Sequence, residues 1–97
     1  MIMESYDYIE SGLIFGLNDI KTLQQFKYQA EDFKTHGDAY RFLVQYFDKY
    51  AEFPKPETLV DNYPALDASA QMLHFDYAID TFKKQILFRR IVNTFNI

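Results

Sequence analysis

The stretch Met72–Phe95, MLHFDYAIDTFKKQILFRRIVNTF, decides the fold of this chain. It holds neither Gly nor Pro, and apolar side chains recur at Met72, Phe75, Ile79, Phe82 and Ile86. Steps of three and four residues lay a single stripe along an α-helix. A second row, Leu87, Ile91 and Phe95, continues at steps of four on a neighbouring face. At 1.5 Å per residue these 24 residues span about 36 Å. A domain of about 100 residues has a radius of gyration of about 13 Å and does not cover such a rod from end to end. The sequence therefore predicts a helix that projects in part and needs a partner. Charge agrees: residues 81–97 carry Lys83, Lys84, Arg89 and Arg90 with no acid, whereas the rest of the chain has a net charge of −8.

Working outward, 97 residues suit one domain, read as a head over 1–70 and an arm over 71–97. An apolar content of 48% with 19% aromatics excludes a disordered chain. Ten Phe and eight Tyr without Trp predict a core of rings whose hydroxyls reach water or a partner. The absence of cysteine excludes disulfides and thiolate-bound metal. The longest uncharged apolar run, Gly12–Leu17, is too short to cross a bilayer, and the opening MIMESYDY lacks the basic and apolar regions of a signal peptide. These features predict a soluble, intracellular protein with no membrane contact. The net charge of −4 argues against nucleic acid binding by the surface as a whole.

The remaining helices follow from spacing. Residues 4–17 place Tyr6, Ile9, Leu13 and Leu17 on one face, with Ile14 beside them. Gly12 and Gly16 in this helix suit close packing against another helix or a weak helix end; without a membrane span, the same spacing does not signal transmembrane dimerisation. Asn18 is a candidate N-cap for a short helix carrying Ile20, Leu23 and Phe26. A connector over 28–34, anchored by Phe33, leads to Thr35-x-x-Asp38, a capping-box-like start. The helix over 36–51 shows Tyr40, Leu43, Val44 and Phe47 on one face, widened by Phe42, Tyr46 and Tyr50, and is expected to be the most buried. Pro54 and Pro56 end it, and Pro56 suits the first position of a short helix carrying Leu59 and Val60. Asn62-Tyr63-Pro64 stops that helix, and Asp67 or Ser69 is placed to cap the last one. No period-two pattern of useful length occurs. The fold class expected is all-α, a small bundle of about five helices.

Chemistry has few footholds. There is no Gly-rich phosphate loop and no His-Glu-x-x-His. His36 reads as a first-turn surface residue, and His74 near Asp76 and Asp80 as a solvated helix residue rather than a metal ligand. Glu31-Asp32 lacks a neighbour that would split its pKa values as a catalytic pair requires. Tyr40, Tyr46 and Tyr50 suit core and rim packing better than a recognition patch. The basic pairs Lys83-Lys84 and Arg89-Arg90 lack the aromatic interleaving of a base-stacking surface. No catalytic, cofactor-binding or metal-binding residue is expected.

In order, the segments resemble the N-terminal domain of DnaB-type replicative DNA helicases, in a phage-type version. Ile9-Glu10-Ser11-Gly12-Leu13-Ile14-Phe15 resembles the Gly-containing first helix of that family, and Ile20–Phe26 its short apolar helix. Glu31-Asp32-Phe33 resembles its connector, and Ala39-Tyr40-Arg41-Phe42-Leu43-Val44 its aromatic-rich helix. Phe53–Val60 (FPKPETLV) and Tyr77–Ile91 (YAIDTFKKQILFRRI) resemble its short post-proline helix and long helix. Asp61–Gln71 is shorter than the matching family region, and the chain stops before the second arm of the family's helical hairpin and its ATPase domain. The resemblance implies a truncated chain or a small stand-alone relative.

It also implies a non-catalytic domain in the cytoplasm of a bacterial or phage-infected cell. Such a domain self-associates into a dimer or hexameric collar and binds primase or a helicase loader, while ATP and Mg²⁺ belong to the missing helicase domain. Phe82, Ile86, Arg89, Arg90 and Ile91 match the hairpin arm. With the outer-row Leu87 and Phe95, they form the expected protein interface. The alternative is a stand-alone phage adaptor or inhibitor that captures a host replication protein. A third class, DNA binding through Arg89 and Arg90, predicts a steep salt dependence.

Overall fold

Seven consecutive buried residues, Ile9–Phe15, make the first helix, α1 (Tyr6–Gly16), the axis of the fold. The computed structural model describes residues 5–95, with the backbone alone for Phe95. Four more α-helices follow: α2 (Ile20–Gln25), α3 (Gly37–Tyr50), α4 (Pro56–Asn62) and α5 (Phe75–Phe95). Two 3₁₀ turns, Ala30–Asp32 and Ala68–Met72, sit in the connections. No strand occurs among the described residues, so the fold is an all-α bundle. No described helix is long and apolar enough to cross a membrane.

α1 packs against α5, the second 3₁₀ turn and α3, which is why it is covered on every side. The expectation that the helix over 36–51 is the most buried is thereby corrected. In α3 only Ala39, Tyr40 and Leu43 are fully inside, and its wide aromatic face is half-covered. Gly12 and Gly16 permit the close approach. A Cβ on Gly12 would stand 2.7 Å from Leu73 Cδ2, and one on Gly16 would collide with the Phe75 ring.

A helix buried all round must satisfy its polar side chains internally. The fully buried Glu10 carboxylate accepts hydrogen bonds from the backbone amides of Lys34, Thr35 and His36, each at 2.8 Å. Those amides belong to the loop just ahead of α3, whose capping residue is His36. Glu10 therefore pins the entry of α3 onto α1, and no side chain of the capping residue His36 caps the helix, contrary to the expected role of Thr35. Ser11 Oγ accepts from the Asp67 amide at 2.9 Å, tying the second turn to α1.

Other helix starts are local. Asp19, not Asn18, caps α2 by accepting from the Thr22 amide at 2.9 Å. Gln29 and Asp32 form a reciprocal capping box around the first 3₁₀ turn. Pro56 opens α4 at its first turn, as its fixed φ favours. Asp67 caps the turn Ala68–Met72 rather than α5, so α5 begins only at Phe75 and Met72 is left 90% exposed.

The core is aromatic. Phe82 of α5 meets Phe33 at a ring separation of 4.9 Å and Tyr28 at 5.2 Å, and Phe33 stacks on Tyr40 at 5.0 Å. Burying such rings is worth about 1.5–3 kcal/mol each, and their edge and tilted contacts add about 0.5–1.5 kcal/mol. The first three turns of α5 thus belong to the core, and its free length begins after Ile86.

Candidate functional site

α5 has two faces set by its 3.6-residue period. One carries Ala78, Phe82, Gln85 and Ile86, all buried against the body. From the outer side round to one flank, the last turns of α5 carry Ile91, Leu87, Phe88 and Val92, exposed by 47%, 58%, 50% and 38%. Four large apolar side chains in two turns form a contiguous patch, which marks contact with another molecule more often than chance. Exposed cations frame it: Lys83 and Lys84 one turn earlier and Arg90 at its edge, none paired with a carboxylate among the described residues.

The expected interface residues separate accordingly. Phe82 and Ile86 lie in the core, 0% and 7% exposed, and are not available to a partner. Leu87 and Ile91 are in the patch, and Arg90 stands at its edge. The side chain of Phe95 lies outside the described residues. Arg89 turns back onto the body: its Nη2 donates to the Asp32 carbonyl, and its guanidinium carbon lies 5.4 Å from the centroid of the Tyr6 ring. That contact anchors the fourth turn of α5 and fixes which side of the helix end faces outward. Phe88 and Val92 escape a reading that follows one row at steps of four. The signal for them is the repeated apolar pair, Leu87-Phe88 and Ile91-Val92, which makes the row two residues wide.

The titratable residues take structural parts. His36 is buried, not a surface residue, and its Nε2 lies 2.5 Å from Asp7 Oδ1. The cause is long-range: Glu10 draws the loop ahead of α3 onto α1, and the imidazole is carried against Asp7. His74 is exposed and its Nδ1 accepts the Asp76 amide at 3.2 Å, at the start of α5. Glu31 is held below the usual carboxylate range by its own backbone amide and then by Arg41, which it meets at 3.1 Å. Asp32 is engaged with the Gln29 amide at 2.8 Å. No group of three metal-ligating side chains occurs among the described residues.

Tyr46 and Tyr50 join Phe42 and Tyr63 in a line of rings along α3, with separations of 5.5, 5.9 and 4.7 Å. This line is rim packing over the edge of the core. Compared with known families, curated proteins and solved structures, the chain matches none.

Proposed function

We propose that this chain is a non-catalytic assembly module: the primase- or loader-docking domain of a DnaB-type replicative helicase. The observation that carries the reading is the patch Leu87, Phe88, Ile91 and Val92, left uncovered at the end of a helix whose inner face is spent on the core. Two or three such side chains, at about 1.5–3 kcal/mol each when buried, support association of weak to moderate strength once ordering costs are met. The succession of a Gly-containing first helix, a short apolar helix, an aromatic-rich helix and a long final helix supports the helicase context. Apolar residues between the cations favour a protein partner over a phosphate backbone, which is bound through charge.

Isothermal titration of the chain with purified primase and with a purified helicase loader tests this reading. Saturable binding to either is expected, lost when Leu87→Lys and Ile91→Lys are combined. Absence of binding to both proteins, or binding unaffected by the double substitution, overturns it.

A further inference from the structure

Beside the apolar patch, a cleft of about 290 Å³ opens between the start of α1 and the end of α5, lined by Tyr6, Lys34, Phe88, Arg89, Val92 and Asn93. Among the described residues lining it, the ionisable groups besides the tyrosine are cations. Lys34 Nζ sits 4.3 Å from the Tyr6 ring centroid and the Arg89 guanidinium 5.4 Å from it, so one ring holds two positive charges at the same opening. Neither cation has a carboxylate partner among the described residues. The Asp32 carbonyl fixes Arg89 in place, so this charge is positioned before any ligand arrives. Phe88 and Val92 are shared, forming one wall of the cleft and one edge of the exposed patch.

The charges also bear on a second copy as occupant. Residues 81–94 carry four cations and no acid. Pairing the same row of two copies would set like charges against each other across the seam, which opposes association. The surface calls instead for apolar side chains on one stripe and carboxylates beside it. We infer that the outer face of α5 and the Tyr6–Lys34–Arg89 cleft receive an acidic amphipathic helix of a partner protein. Its apolar stripe lies on Leu87, Phe88, Ile91 and Val92, and one of its carboxylates enters between Lys34 and Arg89. This inference rests on the docking reading above and names the chemistry of the partner.

The probe is a fluorescent synthetic peptide of about 15 residues, long enough for four helical turns, with Leu at helical steps of three and four and Glu elsewhere. Its control has every Glu replaced by Gln. Anisotropy titrations against the intact chain are run at about 0.05 M and about 0.2 M salt, across which screening rises. The Glu peptide is expected to bind at least about tenfold more tightly than the Gln peptide at low salt, a gap worth about 1.4 kcal/mol. The gap should narrow at the higher salt. Lys34→Glu should abolish it while leaving the unfolding midpoint in place, since Lys34 is exposed. Arg89→Gln should do likewise, with its stability measured in parallel. Equal binding of the two peptides, or a preference that survives Lys34→Glu, overturns the acidic assignment and leaves the docking face standing. Failure of both peptides to bind also overturns it, whereas the docking reading itself falls only with the primase and loader titrations.

Discussion

Glu10 shows how much of the fold one side chain can hold. Its carboxylate is the shared acceptor for three successive amides, and hydrogen bonds to a charged group are worth about 1.5–3 kcal/mol. Glu10→Ala leaves those donors facing a cavity, with a cost of about 1–3 kcal/mol for each one that stays buried. The expected loss is about 3 kcal/mol or more from a total in the usual range of about 5–15, read from urea unfolding; a loss under about 1 kcal/mol would contradict this role.

Two other residues contribute to how stability depends on pH. Asp19 is held below the usual carboxylate range, chiefly by the Thr22 amide and then by the Thr22 hydroxyl. A lowered folded value means its contribution is present above the unfolded value of about 3.9 and is lost as pH falls through the folded one. Asp19→Asn keeps a good cap at neutral pH but removes this acid-side slope, which thermal melts between about pH 5 and pH 2 measure. Tyr40 is raised above its ordinary value by burial first and by the Asp32 charge second. Above about pH 10 the unfolded chain releases that proton more readily, so stability falls as pH rises. Tyr40→Phe should flatten the alkaline slope, at a cost of about 1 kcal/mol for the bond to the Tyr28 carbonyl.

At the scale of the elements, α3 offers a test of sign. Gly37 is its first residue, and helix propensity alone predicts that Gly37→Ala stabilises by up to about 1 kcal/mol. A Cβ there would stand 2.6 Å from the Ala30 carbonyl oxygen, a backbone atom with no rotamer to give way. Overpacking costs about 1–3 kcal/mol, so the substitution is expected to destabilise, and a raised melting temperature would refute the close approach.

α5 offers the complementary contrast between its faces. Phe82→Ala empties the centre of the aromatic core and should cost about 3–5 kcal/mol, whereas Leu87→Lys should stay within about 0.5 kcal/mol. The helix and its outer row were legible in the sequence because no breaker interrupts them and the spacing never slips. Its start was not, because Met72 stands in step with the stripe although the Asp67 cap winds those residues into a separate turn. Asn18 and Asp19 are both capable caps, and spacing alone does not choose between them. The burial of His36 and the reach of Glu10 left no local trace, because the contact spans 26 residues and depends on how α1 and α3 pack.

The whole molecule measures 43 × 24 × 22 Å, and a 21-residue α5 of about 31 Å runs from the core to an uncovered end. The body supplies a rigid base, since α5 is clamped by Phe82 inside and by Arg89 on Asp32 further along. Leu87 and Ile91, beyond Ile86, lie outside that clamp, so they can be altered without unfolding the chain. This separation of folding from docking is the central claim. Sedimentation velocity tests it most directly, run on the chain from micromolar upward, alone and mixed with a primase or a loader, beside the Leu87→Lys, Ile91→Lys double variant. The account predicts a larger, reversible species for the wild-type chain in at least one mixture, and a variant that stays monomeric with an unchanged unfolding midpoint. A wild-type chain that remains monomeric in every mixture, or a variant that assembles as readily, would contradict it.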